Sequence, residues 1–439
     1  MVAVPHDLVR SQKRTETNRL AMTASPSGKG LGSRPRRVRL SIMRRVRAAA
    51  VLIAIVVGYA PSAAKAAGGG DFQTFVRNLW PNAQAAGIAR PTFDAAVAGL
   101  AMDPRVAAAV GRQPEYGKPI GAYVDAAASA GRVAIGRRKA VDWAAALSTA
   151  ESDYAADRWI VLAIWGVESD FGAAKDSYDV VRSLATLAFT SDRPDYFRDE
   201  FIAALKIMQD NRIDRARMLG SWAGAMGQPQ FMPSTYLEFA RSIGGGGRAD
   251  IWTTVPDVLV SIANYLHGKG WQPGLPWGFE VIVPQGFDYM RSRASFAGWR
   301  SLGVKRADGR DLPPSGDAIL YFPAGARGPA FLVTDNFNVI KRYNDSDAYA
   351  LAVGCLADRI RGGGRISAAW PADDAPLSRS QRIALQRKLA ALGYKVNDFT
   401  AHIDFDLRDA IRDMQRKFGM TPDGNPTPEL LRRLSLSEH

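Results

Sequence analysis

Trp159-Ile-Val-Leu-Ala-Ile-Trp-Gly-Val-Glu168-Ser-Asp-Phe-Gly172 is the stretch on which the reading of this chain turns. Eight of the nine residues before Glu168 are large and apolar or Ala, and the ninth is Gly166. No face of a helix drawn through them is polar, so the run predicts a helix buried on all sides. Gly172 is a natural place for such a helix to stop. A carboxylate therefore stands at the end of a core helix, with Ser169 and Asp170 beside it. Two readings follow. A Glu short of water tends to keep its proton, because burial penalises the charged form, and an acid still protonated near neutrality is what breaking a glycosidic bond requires. A Glu marking the solvated end of a core helix needs no chemistry at all, and the stretch alone favours that plainer reading.

Upstream, residues 1–66 carry no helical or strand period. Residues 1–42 are polar and basic, Met43-Arg-Arg-Val-Arg47 leads into the apolar run Ala48–Tyr59, and Ala64-Lys65-Ala66 is a small-x-small cleavage signal. The apolar run is too short to span a membrane comfortably. This is the three-part pattern of a secretory signal peptide, with Met43 a candidate start. A retained N-terminal anchor is the competing reading. No cysteine lies near the cleavage signal to carry a lipid. The chain has 57 Lys and Arg against 43 Asp and Glu, but 13 of the basic and two of the acidic residues lie in this leader. The remaining 373 residues carry 44 basic and 41 acidic side chains, so the surplus belongs to the leader and no nucleic-acid footprint is supported.

Cys355 is the only cysteine, which excludes an intrachain disulfide and thiolate zinc sites. Past the leader the histidines are His267, His402 and His439, without ligand spacing, and no phosphate-binding Gly motif is present. By elimination, chemistry would rest on carboxylates, amides, hydroxyls and aromatic rings. Helical periods run through Asp71–Trp80, Thr92–Gly99, Ile120–Ala130, Arg137–Ser152, Val180–Thr190, Arg193–Asp210 and Val255–Leu266. Tyr123 sits in the third of these, as a core aromatic or a ligand contact. Residues 218–236 break the regularity: they hold no charge, three glycines, two prolines and two amides among sulfur and aromatic side chains. Such parts build a sugar site, with flat apolar surface for ring faces and amides for hydroxyls. They equally build a tight core turn padded with methionines. Phe279–Val283, Ala318–Phe322, Phe331–Thr334 and Val339–Tyr343 then read as short strands of an antiparallel lobe, followed by a helix over Ser346–Ile360. After a Pro/Asp linker, Arg379–Leu392, Phe405–Phe418 and Thr427–Leu434 read as three helices. Leu385-Gln-Arg-Lys and Met414-Gln-Arg-Lys recur at matching places in the first two, which suggests an internal duplication with a solvated basic face.

Taken together these stretches resemble the B-type lytic murein transglycosylases, which cleave bacterial peptidoglycan. The resemblance covers nearly all of the chain past the leader. It rests on Ile164-Trp-Gly-Val-Glu-Ser-Asp-Phe-Gly172, Ser221-Trp-Ala-Gly-Ala-Met-Gly-Gln-Pro-Gln-Phe-Met-Pro-Ser234, Ala263-Asn-Tyr-Leu266 with Gly270-Trp271, and Tyr343-Asn344. The tail resembles the three-helix peptidoglycan-binding module through Leu385-Gln386, Leu392-Gly393-Tyr394 and Asp423-Gly424. The resemblance implies a mainly α fold: a lysozyme-like helical catalytic domain with a small antiparallel β lobe over residues 67–368, a linker at 369–377 and a peptidoglycan-binding-like module at 378–437. It implies cleavage of the β-1,4 bond between N-acetylmuramic acid and N-acetylglucosamine without water, with Glu168 as acid and then base. It also tips the choice at Glu168 toward the catalytic reading. Asp170 is a poor second carboxylate, because residues i and i+2 do not share a helix face.

Carried over by position, Ser221 would bond near the acetamido group or Glu168, and Gln230, Tyr123, Tyr265, Tyr343, Asn344 and Tyr349 would hold the glycan. Where the family often has two consecutive arginines this chain has Arg193-Pro194, so Arg193 alone can take that part. Some members bind calcium in an acidic loop, but Ser242–Asp250 offers Asp250 as its only carboxylate, so neither metal nor cofactor is expected. Asp398-Phe-Thr-Ala-His-Ile-Asp404 replaces the module's usual first glycine turn. The expected partner is a peptidoglycan strand in the periplasm, with peripheral membrane or envelope association compatible and no protein partner indicated. A water-using muramidase and a non-catalytic wall-binding scaffold are the alternative functions.

Overall fold

The apolar run forms the helix Arg158–Ser169, and a helical body is laid around it. Asp157 starts it, its carboxylate accepting from the amides of Trp159 at 2.8 Å and Ile160 at 3.2 Å. Such a cap satisfies amides that have no partner within the helix. Ile160 through Gly166 are buried without interruption. The helices Asp347–Arg361, Val255–Gly268, Ala144–Tyr154 and Ala130–Asp142 pack around it. The computed structural model describes residues 69–110, 118–211, 213–245 and 247–436, so the leader read at residues 1–66 lies outside them.

The helix ends earlier than Gly172. Asp170 (φ 51°), Phe171 (φ 58°) and Gly172 (φ 80°) are left-handed in succession, so the stop falls on Asp170 and Gly172 serves another purpose. Phe171 folds back, its ring 5.5 Å from that of Trp165 and edge-on to it. The space it enters exists because residue 166 is Gly: a Cβ there would stand 2.6 Å from the Phe171 ring. Two non-glycine residues in this region cost about 1–2 kcal/mol each, and the burial of Phe171 offsets that.

The helix expected over Arg137–Ser152 is two helices, Ala130–Asp142 and Ala144–Tyr154, broken at Trp143 (φ −116°, ψ 26°). The first packs on Asp347–Arg361 and the second on Val255–Gly268, two surfaces that one straight helix does not reach together.

Five antiparallel strands form the lobe, in the order Arg293–Ser295, Asp317–Tyr321, Ala330–Val333, Gly278–Ile282, Lys305–Arg306. Leu320 pairs with Leu332 and Leu332 with Phe279 across the sheet. These three face a small core with Phe296 and Trp299. The alternate residues Tyr321, Phe331 and Val333 face the main core, so the central strand is buried on both sides. Val339–Tyr343, expected as a strand, lies inside the helix Asp335–Asn344. Thr334 accepts from the Asn336 amide and starts the helix, which buries Phe337 and Ile340 at helical spacing. Its β-branched Val339 and Ile340 carry the strand signal that tertiary packing overrides.

Leu385, Leu389, Leu407, Ile411, Leu430 and Leu434 close a separate core between the helices Arg379–Ala391, Phe405–Lys417 and Pro428–Leu436. The duplication noted in the sequence has a structural counterpart. Gln386 accepts from the Ala401 amide at 3.0 Å and donates to the His402 carbonyl, while Gln415 accepts from the Gly424 amide at 2.8 Å and donates to the Asn425 carbonyl. Ala401 and Gly424 both have φ of 75°, so Ala401 occupies a glycine-type position. Among the described residues no helix is long and apolar enough to cross a membrane.

Candidate active site

Glu168 sits half-buried in the last turn of its helix, where the axis delivers it to a wall of tyrosines. The Tyr349 hydroxyl donates to Glu168 Oε1 at 2.6 Å. Tyr349 is fully buried, and burial together with the neighbouring Glu168 carboxylate pushes its phenol well above its ordinary pKa. It is therefore a neutral donor throughout the physiological range. Tyr343 stacks on Tyr349, with ring centroids 6.2 Å apart and planes 16° off parallel. Tyr265 meets Tyr343 edge-on at 4.7 Å and donates its hydroxyl to the Arg342 carbonyl at 2.6 Å. Tyr123 lies close enough to Tyr349 to oppose ionisation of its phenol. Asp170 pairs with Arg132 at 3.2 Å, which ties it to a neighbouring helix.

The uncharged loop is stitched rather than loose. Leu219–Gly220 pairs with Tyr178–Asp179, and Met226 bridges to both Gly220 and Phe231. Gln228 joins this loop to the Glu168 helix, accepting from Trp165 Nε1 at 2.8 Å and donating to the Trp252 carbonyl at 2.9 Å. Gly172 is the glycine this joint demands, since a Cβ at its positive φ would run into the Gln228 amide. Tyr343 donates to the Pro229 carbonyl at 2.8 Å, so loop and tyrosine wall are joined a second time. Gln230, itself at φ 51°, donates to the Gly227 carbonyl at 2.8 Å and to Asp176 at 3.0 Å. Burial raises the Asp176 carboxyl to about 6, against the lowering effect of its bonds to Gln230 and the Gly227 amide. The Ser221 hydroxyl accepts from the Ala225 amide at 3.2 Å, closing the turn at the loop's start.

A cleft of about 860 Å³ opens beside these residues, lined by Tyr123, Arg193, Trp222, Tyr343 and Asn344. Its far wall belongs to the C-terminal helices and their loops, among them Arg379 and His402. The Arg193 guanidinium lies over the rings of Tyr196 at 4.9 Å and Phe197 at 5.3 Å, and Asn344 is exposed at the end of its helix. The structure thus brings Glu168, Tyr349, Tyr343 and Tyr265 into one group. Tyr123 is at its edge, Gln230 and Ser221 are in the adjoining loop, and Arg193 and Asn344 line the cleft.

Gln228 and Asp176 were not singled out by sequence reasoning. Gln228 was visible as one of the two amides of the uncharged stretch, whereas Asp176 gives no local signal. Among the described residues no group of three or more His, Cys, Asp or Glu is arranged to hold a metal ion. In the glycine-rich loop Asp250 accepts from the amides of Trp252 and Thr253, and Asp257 accepts from those of Ile243 and Asp250. Hydrogen bonds close that loop.

Residues 71–358 match the transglycosylase SLT domain, and residues 378–434 match a peptidoglycan binding domain. Over 229 residues the chain is 32% identical to membrane-bound lytic murein transglycosylase B of Escherichia coli K12, covering 49% of this chain and 60% of that protein. The aligned part therefore spans less than two thirds of that relative. SltB3 of Pseudomonas aeruginosa, solved in complex with NAG-anhNAM-pentapeptide, is 46% identical with a TM-score of 0.75, over 83% of this chain and 99% of that one. The same protein has also been solved with NAG-NAM-pentapeptide, at a TM-score of 0.76. Slt35 of Escherichia coli, solved in complex with calcium, is 26% identical with a TM-score of 0.57, over 67% of this chain and 94% of that one. On these matches the chain belongs to the SLT-domain family, as a B-type lytic transglycosylase carrying a C-terminal peptidoglycan-binding domain.

Proposed function

We propose that this chain cleaves the β-1,4 bond between N-acetylmuramic acid and N-acetylglucosamine in peptidoglycan without water, leaving 1,6-anhydromuramic ends. The observation that carries the reading is the Glu168 carboxyl, half-buried at the end of a core helix and gripped on one oxygen by a buried phenol. With Tyr349 donating to Oε1, the proton of the acid form belongs on Oε2. That proton goes to the glycosidic oxygen as the bond to the muramyl C1 breaks, so N-acetylglucosamine leaves with a free 4-hydroxyl. Positive charge develops at C1, where the substrate's own acetamido group can share it. The Glu168 carboxylate then takes the proton of the muramyl C6 hydroxyl as O6 bonds to C1, and the enzyme returns to its starting state. One carboxyl serves twice because the nucleophile is tethered to the reacting sugar, which removes the need for a held water.

Tyr349 and Tyr343 orient Glu168, while Tyr123, Arg193, Asn344 and the amide of Gln230 would meet the strand along the cleft and loop. Ser221 and Tyr265 support this surface through backbone contacts. SltB3, with its two bound muropeptides, supports the substrate class. Secretion through the leader at residues 1–66, action in the periplasm and peripheral association with the envelope belong to the same reading. The test is digestion of purified peptidoglycan by the chain and by Glu168→Gln, with mass spectrometry of the released ends. Anhydro ends from the parent and none from the variant are expected. Ends heavier by one water would indicate a muramidase, and equal activity in Glu168→Gln would remove Glu168 from the chemistry.

A further inference from the structure

The C-terminal helices join the helical body at a corner, where Asp335–Asn344 gives way to Asp347–Arg361. Arg408, in the first turn of Phe405–Lys417, is 5% exposed. Its Nη2 donates to Asp347 Oδ2 at 2.8 Å and its Nη1 to the Gly424 carbonyl at 3.1 Å. Lys341 holds the other oxygen of Asp347 at 2.8 Å, and the Arg408 guanidinium lies 4.8 Å over the Tyr321 ring. Two cations on one largely shielded carboxylate, 13% exposed, hold the Asp347 carboxyl far below the usual carboxylate range, although burial alone would raise it. Alongside, His402 Nδ1 lies 3.2 Å from Asp345 Oδ2, and Phe405 meets Tyr321 edge-on at 5.7 Å. Tyr343 stands two residues before Asp345, and Tyr349 two residues after Asp347. The gripped corner is the one that carries both tyrosines of the Glu168 wall.

We propose that Arg408 is a positioning residue for the reaction at Glu168: by clamping Asp347 it fixes the first helical turn that carries the Tyr349 hydroxyl. The proposal deepens the transglycosylase reading and rests on it. Asp347 opens its helix, and a first turn is where amides lack intrahelical partners and where fraying starts. The local cap is weak, with the Tyr349 amide 3.3 Å from the Ser346 hydroxyl. A planar guanidinium in dry surroundings supplies the stiffness that the cap lacks. Stability is a poor reason for such a contact, since a buried ion pair often gains nothing over well-packed apolar groups. What it does secure is geometry. An aspartate set at this corner and reached from the tail couples the tail to the phenol that holds the acid.

The test uses the full chain on a short soluble glycan, too small to need anchoring to the wall. Arg408→Met and Arg408→Lys are each made alone and with Tyr349→Phe, and thermal unfolding is recorded for all. Arg408→Met is expected to lower kcat about tenfold with KM held within about twofold, a loss within the range of coupled neighbours. Arg408→Lys should recover part of it. With Tyr349→Phe already present, Arg408→Met should lower kcat no further, whereas a merely structural defect would add to the first. An unchanged kcat in folded Arg408→Met, or the same loss in both backgrounds, overturns the proposal. If the Met variant does not fold, Arg408→Lys carries the same comparison. A crystal structure of the variant gives a readout independent of activity: the Tyr349 hydroxyl displaced from Glu168 is expected, and an unmoved pair refutes the coupling. Inactivity of the parent chain would strike the transglycosylase reading instead.

Discussion

Replacing Tyr349 with Phe deletes one oxygen and leaves the ring in place, which makes it the sharpest probe of the site. The phenol donates to Glu168 Oε1 at 2.6 Å from a fully buried position. A hydrogen bond to a charged group contributes about 1.5–3 kcal/mol. In the proposed reaction Glu168 starts neutral and gains negative charge as its proton moves to the leaving oxygen. The bond therefore strengthens toward the transition state, and its loss belongs in kcat rather than KM. At 1.4 kcal/mol per factor of ten, the expected fall in kcat is about 10–100-fold. The assay is initial-rate kinetics on a soluble glycan with products counted by mass spectrometry, beside thermal unfolding of the variant. A kcat within about twofold of the parent would refute the argument. An intact kcat with a raised KM would instead return Tyr349 to holding the glycan.

Three more outcomes follow from the geometry. Gly172→Ala places a Cβ at φ 80° against the Gln228 amide, so it should cost about 2–3 kcal/mol in urea unfolding through backbone strain and the Trp165–Gln228 bond. Unchanged stability would mean that the joint has slack. Ala401→Gly relieves a left-handed residue at φ 75°, and after the chain-entropy penalty of glycine it should gain about 0.5 kcal/mol in the same measurement; a loss would contradict the paired-turn reading. Asp176 has its folded carboxyl raised to about 6, above its unfolded value near 3.9, so the folded state binds the proton more tightly. Its contribution is fully present below about pH 4 and is lost as pH rises through about 6. Two pH units correspond to about 3 kcal/mol, and solvent screening of a half-buried group cuts this to about 1. Asp176→Asn should therefore be about 1 kcal/mol more stable at pH 7 and lose that part of the pH slope, as denaturant titrations at several pH values would report.

Much of this fold can be read along the chain, and the parts that cannot share a cause. The helix ending at Ser169 is plain from its apolar run, as are Val180–Thr190 and the helices of the tail. The stop at Asp170 is not, because Phe171 and Gly172 take their backbone from Gly166 and Gln228, which no local pattern connects. Val339 and Ile340 carry a strand's side chains inside a helix whose cap at Thr334 lies five residues before Val339. Trp143 breaks a continuous helical period for the sake of two separate packing surfaces. At the site, Glu168 stands out because a lone carboxylate ends a run of grease. The tyrosines are named by resemblance, but their division of labour appears only with hydrogen bonds in hand: Tyr349 to the carboxylate, Tyr343 to the loop, Tyr265 to a backbone carbonyl. Arg408 and Arg412, both buried, are the least foreseeable, since arginine in sequence reads as surface.

The segment between body and tail is short of slack. Trp370 lies against Gly121 where no Cβ would fit, Pro371 packs on Gly328, Arg327 pairs with Asp373 at 2.8 Å, and Leu377 is fully buried. A loose tether multiplies affinity by letting one part hold while the other searches. A welded joint gives up that freedom. On the proposed reading, whichever part of this chain touches the wall first sets where the other one lands, and the tail serves as a fixed gauge along the strand.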